Sequence, residues 1–177
     1  MTMLQIRTAG VCDFDAVKEF YYSLIEQFDQ MEYSPGWKKG IYPTEEFLMK
    51  SIKNSELCIG EIDGQIITCM AVNHEYNEGY KKVVWSVDAA DNELLVIHIL
   101  GVLPVYSGKG VAKQMVQKVI EMARDNKIKT IRLDVLEGNI PAEKAYIKMG
   151  FKYLDTVQMY YEDTGRTGFR LFEFIVN

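Results

Sequence analysis

The first fifty residues alternate between strand-like and helix-like patterns. LQIRT alternates apolar and polar residues, which predicts a short first strand. From Phe14 onward, apolar residues recur every three or four positions, which predicts an amphipathic helix capped by Asp13. MEYSPGWKKGIYP contains two prolines and two glycines that interrupt this pattern, so it predicts a loop. We expect Thr44 to begin a second, shorter helix that ends near Asn54.

The middle of the chain carries the pattern of antiparallel strands. Asp63-Gly64 separates two apolar runs, which is a strong short-range signal for a β-hairpin. KKVVWSVDA predicts another strand, and residues 92–102 predict a longer one. Simple alternation along that longer strand would place His98 on the same face as Val96 and Leu100.

The second half of the chain predicts strand, helix, strand, helix and a closing hairpin. A helix is predicted over residues 109–126, with an apolar face formed by Val111, Met115, Val119 and Met122. TIRLDVL predicts a strand, and residues 141–149 predict a helix that ends at Gly150. KYLDTVQMYYE and GFRLFEFIV predict the hairpin. With no internal repeat, this order of elements predicts a mixed α/β fold in one domain, residues 1–177.

Composition and charge narrow the functional classes. The chain has 177 residues, of which 48% are hydrophobic and 25% charged, as in an ordinary globular protein with one core. Its net charge of −5 argues against nonspecific nucleic-acid binding and suits the attraction of cationic amines. No apolar run approaches the roughly 18 residues of a membrane span, and the N-terminus lacks a signal-peptide pattern. We therefore expect a cytoplasmic protein without a membrane partner.

The cysteines and histidines do not form a metal-binding pattern. Cys12, Cys58 and Cys69 are widely spaced and contain no CxxC pair. The two histidines, His74 and His98, belong to different predicted segments. We therefore expect buried free thiols at Cys58 and Cys69 and no metal cofactor.

VYSGKG, residues 105–110, connects a predicted strand to a predicted helix. Small residues at Gly108, Gly110 and Ala112 let backbone N–H groups approach a ligand, and a helix N-terminus favours a pyrophosphate. A Walker-type loop is excluded because the preceding glycine is too far from Gly108. A dinucleotide fingerprint is excluded because Lys113 stands where its third glycine belongs. The turn alone leaves two interpretations, a pyrophosphate site or a tight turn whose glycines serve geometry only.

A second motif, about thirty residues later, decides between them. NIPAEKAYIKMGF has the spacing Asn-x-x-Ala-x-x-x-Tyr-x-x-x-Gly-Phe, with its fixed positions at Asn139, Ala142, Tyr146, Gly150 and Phe151. Together with the turn, this segment resembles the GNAT superfamily of N-acetyltransferases. The order of elements agrees with that superfamily over nearly the whole chain.

The glycine-rich turn matches the acetyl-CoA motif of the superfamily with one departure. That motif is Gln or Arg, two residues, Gly, one residue, then Gly or Ala. Here it consists of Ser107, Gly110 and Ala112, after a lead-in formed by Leu100, Val102 and Pro104. Ser107 replaces the usual Gln or Arg, so we expect a weaker side-chain contact to phosphate. The backbone cradle does not depend on that side chain, and Lys109 supplies positive charge.

The resemblance implies an acetyl-CoA-dependent transferase with a mostly antiparallel sheet and a splayed parallel pair at the CoA site. The pantetheine arm is expected between strands 94–102 and 130–136. A bulge at Gly101 would free backbone groups for pantetheine or serve only the twist of the sheet. Asn139 would bond a pantetheine amide, cap its helix, or both. The expected acetyl-CoA contacts are Leu100, Gly101, Val102, Ser107, Gly108, Lys109, Gly110, Val111, Ala112, Lys113, Asn139, Ala142 and Tyr146.

Two residues are candidates for catalysis. Tyr146 matches the position of the family's general acid, which protonates the departing thiolate; the alternative is an aromatic residue packed in the core. His98 suits proton removal because an unperturbed imidazole has a pKa near ~6.5. In arylalkylamine N-acetyltransferases, a histidine implicated in proton relay occupies the corresponding place on this strand. The alternative for His98 is a buried, neutral histidine that supports the sheet.

In this fold the loop between the first two helices usually covers the acceptor pocket. That loop is aromatic here, so Trp37 and Tyr42 are substrate candidates; the alternative is a small core beneath the loop. His74 is a third candidate, with a solvated strand end as its alternative. The closing hairpin would border the pocket or a homodimer interface through Met159, Tyr161, Phe172 and Phe174.

The expected activity is transfer of acetyl from acetyl-CoA to a primary amine of a small molecule. A first alternative is acetylation of a protein N-terminus or lysine. A second, from another functional class, is a noncatalytic sensor that binds acyl-CoA.

Overall fold

The computed structural model describes residues 3–177, so Met1 and Thr2 of the expected domain lie outside it. Within that range the chain forms four α-helices: α1 Phe14–Glu26, α2 Glu45–Lys53, α3 Val111–Asp125 and α4 Ile140–Lys148. The strands in the same range are β1 Gln5–Thr8, β2 Leu57–Ile62, β3 Gln65–Asn73, β4 Leu94–Val102, β5 Thr130–Leu136, β6 Lys152–Tyr161 and β7 Gly165–Ile175. These bounds confirm every predicted helix and all but one of the predicted strands. Most of the predicted ends of these elements agree with the observed ends to within two residues.

The strands form one sheet in the order β1-β2-β3-β4-β5-β7-β6. Every neighbouring pair is antiparallel except β4 and β5, which are parallel. Apolar residues of α1 and α2 pack on one face of the sheet, and those of α3 and α4 pack on the other. This arrangement confirms the expected mixed α/β fold with a mostly antiparallel sheet and one parallel pair.

In the first half of the chain, local sequence signals predicted the hairpin turn and the helix caps correctly, with one exception. Asp63 and Gly64 have φ angles of 52° and 76°, the left-handed pair that a tight hairpin between β2 and β3 requires. The hydroxyl of Thr44 accepts the backbone N–H of Phe47 at 3.0 Å and caps α2. Asp13 precedes α1, but its carboxylate is bound by the Arg7 guanidinium at 2.7 Å instead of capping the helix. The side-chain cap predicted at Asp13 is therefore wrong.

The apolar face of α3 differs from its prediction at one position. Val111, Met115 and Val119 are buried, as predicted, whereas Met122 is 37% exposed. Ala123 is fully buried in its place, because the helix turns that position toward the sheet.

The strand predicted at KKVVWSVDA is wrong. A 3₁₀ turn spans Glu78–Lys82, and the residues that follow it up to the start of β4 are not in a strand. β3 pairs directly with β4, so the sheet has no position for another strand between them. The segment packs instead on the α1–α2 face, where Tyr80 and Val83 are buried against β4, β6 and β7.

The bulge in β4 lies before Gly101, not at it. Ala71 of β3 is opposite His98, and Cys69 is opposite Gly101, so Ile99 and Leu100 share one position on the partner strand. Ile99 has a φ angle of 49°, and its carbonyl accepts the buried hydroxyl of Tyr21 at 2.9 Å. The predicted bulge exists, but the strained residue is Ile99.

The close packing of α1 on β4, and not the bulge, explains why position 101 is occupied by a glycine. A Cβ at this position would lie 2.7 Å from Cδ2 of Leu24, so the absent side chain lets α1 pack closely on β4. The bulge also reverses the alternation, and Leu100 packs on the α3–α4 face while Val96 packs on the opposite face. Simple alternation predicted that His98 shares a face with Leu100. That prediction is wrong, because the bulge puts the two residues on opposite faces of the sheet.

Within residues 3–177, none of the helices combines the length and hydropathy needed to cross a bilayer.

Candidate active site

The parallel pair β4–β5 opens into a cleft. The two strands pair only from Leu94 to Val96 and from Thr130 to Arg132. Beyond those residues β4 remains with β3, and β5 remains with β7, so the two strands separate. The resulting cleft encloses about 690 Å³ including its open mouth, and residues 97–100 and 134–136 line its walls. This geometry is the splay that the family resemblance implies.

Four of the expected acetyl-CoA contacts line the cleft: Leu100, Asn139, Ala142 and Tyr146. Asn139 stands at the start of α4, yet its side chain makes no capping hydrogen bond. The expectation that Asn139 caps the helix with its side chain is therefore wrong, and its amide is available to a ligand in the cleft.

Tyr146 projects from α4 beside the splayed strands. Its ring packs edge-on against Phe151, with 5.5 Å between ring centroids. Burial raises the pKa of the Tyr146 phenol above its ordinary value, and the nearby charge of Asp134 acts in the same direction. The phenol therefore stays protonated at neutral pH, which is the state that a proton donor requires. Its position agrees with both interpretations, because the ring packs in the core while the residue lines the cleft.

The glycine-rich turn lies outside the walls of the cleft, at the N-terminus of α3. Gly108 and Gly110 have φ angles of 73° and 79°, and a Cβ at either position would meet nothing within 4 Å. The space over the turn is therefore open, and the first N–H groups of the 15-residue α3 face it without intrahelical partners. The Lys109 ammonium lies 5.5 Å from the ring centroid of Tyr106. The turn fits a pyrophosphate by its backbone geometry and its charge.

The remaining expected contacts are distributed around the turn and β4. Gly101 and Val102 belong to β4 but do not line the cleft, and the Gly101 carbonyl accepts the hydroxyl of Thr68 at 2.8 Å. Ser107 is exposed at the end of a short 3₁₀ turn, without a side-chain partner among the described residues. Val111, Ala112 and Lys113 form the first turn of α3.

Trp37 and Tyr42, from the loop after α1, line the other side of the cleft. Trp37 also packs on Tyr21 with 5.9 Å between ring centroids, so it belongs to a small core as well. The ring of Tyr42 lies 5.8 Å from that of Tyr161 on β6. The small core beneath the loop is therefore present, and the same rings form a wall of the cleft, so contact of Trp37 and Tyr42 with the acceptor stays a prediction.

The hairpin residues divide between the cleft and the core. Tyr161 lines the cleft. Met159 and Phe172 are buried in the core, and Phe174 packs against it. Of the four, only Tyr161 has the predicted position at the pocket.

His98 lies in the cleft wall on β4, on the side of the sheet that carries α1 and α2. Its Nε2 is 2.8 Å from Oδ1 of Asn73, and that oxygen also accepts the backbone N–H of Glu75 at 2.9 Å. Because an amide oxygen only accepts, Nε2 carries the proton and Nδ1 is the basic nitrogen. Burial lowers the pKa of His98 to about 4, so the ring is neutral at pH 7.

His74 does not line the cleft, and the expectation that it borders the acceptor is wrong. Its Nδ1 donates to the carbonyl of Leu94 at 2.6 Å, at the start of β4. That point is at the end of the β3–β4 pair where β4 is still joined to β5, away from the splay. His74 instead lines a separate surface hollow with Asn54 and Asn126.

Asp134 is the site residue that the motif reasoning missed. It lies on β5 in the cleft wall, and its Oδ2 accepts the hydroxyls of Tyr80 at 2.7 Å and Tyr161 at 3.0 Å. Burial raises the pKa of Asp134, and these two hydrogen bonds oppose that effect. A signal was present in TIRLDVL, where Arg132 and Asp134 alternate with apolar residues on a strand buried on both faces.

The cleft is acidic. Asp163, in the turn between β6 and β7, also lines it, and burial raises the pKa of that carboxyl. Among the described residues that line the cleft there are two aspartates and no lysine or arginine. In residues 3–177, no cluster of three or more His, Cys, Asp or Glu side chains is arranged to hold a metal ion.

Comparison with known proteins places this architecture in a family. The model of the Acetyltransferase (GNAT) family matches residues 20–151. Among curated proteins, N-acetylaspartate synthetase of Xenopus tropicalis is 36% identical over 80 residues, which are 44% of this chain and 30% of that protein. Streptothricin acetyltransferase of Streptomyces lavendulae is 30% identical over 90 residues, 51% of this chain and 46% of that protein. The matched segments thus span less than half of these relatives.

A solved structure extends the likeness to nearly the whole chain. An acetyltransferase of the GNAT family from Streptococcus agalactiae superposes with a TM-score of 0.79 at 23% identity. The superposition covers 98% of this chain and 96% of that one, which shows a common fold. The family match covers most of the chain and includes both motifs and the strands β4 and β5. The chain therefore belongs to the GNAT family of acetyl-CoA-dependent acetyltransferases.

Proposed function

We propose that this protein transfers acetyl from acetyl-CoA to a primary amine of a small molecule that is cationic in solution. The observation that carries the proposal is the acidic, aromatic wall of the cleft on the α1–α2 face. Asp134 and Asp163 contribute negative charge there, and Trp37, Tyr42 and Tyr161 contribute ring faces. Carboxylates in a partly desolvated pocket and aromatic rings both attract ammonium groups.

Each face of the sheet would bind one of the two substrates. On the α3–α4 face, the turn at Gly108 and Gly110 would hold the pyrophosphate, and Leu100 and Asn139 would contact the pantetheine arm. Acetyl-CoA supplies the activated acetyl thioester at the splay. On the opposite face, the acidic wall would receive the amine, so the two substrates approach the reaction point from opposite faces of the sheet.

The residues at the splay provide the proton transfers that aminolysis needs. The nitrogen must lose protons to attack and complete the amide, and the departing thiolate must gain one. Tyr146, held protonated by burial, would donate to the sulfur. His98, neutral and basic at Nδ1, would accept or relay a proton from the amine side. Backbone N–H groups near Leu100 would polarise the thioester carbonyl.

The shape of the acceptor side favours a small molecule over a protein. A peptide acceptor needs an open groove across the site. Here the rings of Tyr42 and Tyr161 lie 5.8 Å apart, and Trp37 stands in the same wall. These rings restrict the approach to the reaction point.

The test is turnover of acetyl-CoA by the purified protein, followed by release of the CoA thiol, over a panel of small primary amines and of peptides with free N-termini or lysines. We expect turnover with cationic small amines and slower or no turnover with peptides. Tyr146→Phe should lower kcat by about 100-fold while acetyl-CoA binding is retained. Tyr153→Phe is a matched control, because that exposed hydroxyl bonds only Thr156 among the described residues.

Binding of acetyl-CoA without turnover across the panel would refute the proposal and favour a noncatalytic sensor. Faster turnover with peptides than with small amines would favour a protein acetyltransferase. Unchanged kcat in Tyr146→Phe would remove the general-acid role from that residue.

A further inference from the structure

Asp134 stands at the centre of a cluster of tyrosine hydroxyls on the acidic side of the cleft. We propose that Asp134 takes the proton from the ammonium group of the acceptor, and that Tyr80 and Tyr161 position its carboxylate for this step. The inference rests on the proposed acetyl transfer to an amine.

Both positioning hydrogen bonds reach the same atom. The Tyr80 hydroxyl donates to Oδ2 of Asp134 at 2.7 Å, and the Tyr161 hydroxyl donates to Oδ2 at 3.0 Å. Two donors from different elements on one oxygen fix the plane of the carboxylate, while the residue as a whole lines the cleft. The hydroxyls also stabilise the charged form in a buried environment, where a carboxylate would otherwise favour protonation.

Tyr80 is held by the segment that the sequence had predicted as a strand. The indole Nε1 of Trp85 donates to the Tyr80 carbonyl at 2.9 Å. The Arg132 guanidinium lies 4.2 Å from the Trp85 ring centroid and is paired with the buried carboxylate of Glu173 at 3.3 Å. Glu173 in turn accepts the backbone N–H of Ser86 at 2.8 Å. A buried ion pair therefore anchors this segment to the sheet and keeps the Tyr80 phenol in place.

The charge distribution around the cleft favours Asp134 over His98 as the group that meets the ammonium. The His98 ring is neutral at pH 7 and exerts no net attraction on a cation. The titratable and charged groups in the cleft or beside Asp134 are His98 of β4, Tyr42 of the loop after α1, Tyr80, Arg132 on the same face of β5, Tyr146 of α4, Tyr161 of β6 and Asp163. Arg132 is neutralised by Glu173, so the carboxylates determine the sign of the charge.

The proton balance of the reaction closes with these residues. One N–H bond of the R–NH₃⁺ acceptor breaks, and its proton bonds to a carboxylate oxygen of Asp134. The freed nitrogen lone pair forms the C–N bond to the carbonyl carbon, and the C–S bond breaks as the thiolate leaves with its electron pair. Tyr146 gives a proton to sulfur, and the second proton that the nitrogen loses is relayed by Nδ1 of His98 to restore the Tyr146 phenol. Asp134 then returns its proton to solvent, so one proton is released for each amide formed.

The first experiment compares wild type and Asp134→Asn with a small amine that wild type acetylates. Asparagine keeps the shape but cannot accept a proton, so kcat should fall by about 100-fold or more at pH 7. The loss should shrink as the pH approaches the pKa of the amine, because the unprotonated amine no longer needs a base. Retained acetyl-CoA affinity and an unchanged circular dichroism spectrum show that the variant is folded.

The second experiment tests positioning through the pH profile of kcat/KM. Removing a hydroxyl that stabilises the charged carboxylate raises the pKa of Asp134, so Tyr80→Phe and Tyr161→Phe should each move the acidic limb to higher pH. Tyr76→Phe is the matched control, since its hydroxyl bonds the exposed Asp91 and its ring stacks on Tyr80. We expect the acidic limb of this control to coincide with that of wild type.

The outcomes distinguish failure of the proposed acetyl transfer from failure of the role of Asp134. If wild type acetylates no amine, the proposed function fails, and the role of Asp134 fails with it. If wild type acetylates amines while Asp134→Asn shows an unchanged kcat, or a higher KM alone, only the proton-accepting role is overturned. If Asp134→Asn is impaired as expected but Tyr80→Phe and Tyr161→Phe keep the wild-type limb, the positioning role is overturned.

Discussion

At the scale of single residues, burial sets the protonation of the groups around the cleft. His98 is surrounded by the sheet and by the ring of Phe47, whose centroid is 6.3 Å away. Desolvation is the largest effect on this imidazole, and it outweighs the opposing influence of Glu75. A histidine that the sequence presents as a base near pH 6.5 is therefore neutral well below that pH.

This difference predicts how stability depends on pH. The pKa of His98 is about 4 in the folded protein against 6.5 in the unfolded chain, so the unfolded chain binds more protons between these values. The contribution is fully present above pH 6.5 and is lost as the pH falls toward 4. The gap corresponds to about 3 kcal/mol. Denaturant unfolding at several pH values should show a shallower loss over this window in His98→Gln than in wild type.

His74→Gln is the control for that comparison, because it removes a histidine that lies outside the cleft. Comparison with this variant separates an effect specific to residue 98 from the general effect of replacing a histidine with glutamine. The same slope in wild type and His98→Gln would contradict the assignment.

At the scale of elements, two helix N-termini that look alike in sequence differ in the contacts of their polar side chains. Thr44 and Asn139 both precede helices and are both good capping residues. The Thr44 hydroxyl caps α2 at 3.0 Å, whereas the Asn139 amide makes no cap and lines the cleft. One of these polar side chains thus caps its helix, and the other lines the cleft without a capping bond.

Substitution by alanine should therefore have opposite consequences at the two positions. Thr44→Ala should lower the free energy of unfolding by about 1 kcal/mol and leave acetyl-CoA affinity unchanged. Asn139→Ala should change stability by less than about 0.5 kcal/mol and weaken acetyl-CoA binding by roughly fivefold, as expected for one lost hydrogen bond. Chemical denaturation and calorimetric titration would measure both. A stability loss in Asn139→Ala with unchanged affinity would show that the residue serves the helix after all.

At the scale of the whole molecule, the sheet consists of two parts joined by a short segment of parallel pairing. β1–β4 and β5–β7 meet through only three paired positions between β4 and β5. Beyond Val96, the edge of β4 that faces the cleft has no partner strand among the described residues. A pantetheine arm bound there would bridge the two parts of the sheet.

Amide hydrogen exchange should reveal this bridging. Saturating acetyl-CoA should slow exchange in residues 98–102 by about tenfold, because hydrogen bonds to a ligand oppose local opening. ADP carries a pyrophosphate but no pantetheine arm, so it should protect only the start of α3, residues 108–113. Protection of residues 98–102 by ADP, or the lack of it with acetyl-CoA, would contradict this location for the arm. The homodimer through the closing hairpin stays a prediction that sedimentation measurements can test.

The sequence by itself determined those features that depend on near neighbours. Periodicity placed the helices, Asp63-Gly64 placed its hairpin, and the spacing around Asn139 and Tyr146 identified the family. Each of these signals lies within one element or one turn, where local backbone preferences dominate. Together they are sufficient to locate the splayed strands and the glycine-rich turn along the chain.

Only the tertiary structure decided the features that join distant parts of the chain. The bond from Tyr80 to Asp134 spans 54 residues, and that from Tyr161 to Asp134 spans 27. The bulge at Ile99 depends on the register with β3 and on the hydroxyl of Tyr21 in α1. No local pattern encodes such contacts, because they form only when the sheet brings separate segments together. For the same reason, the acidic side of the cleft became visible only in the folded molecule.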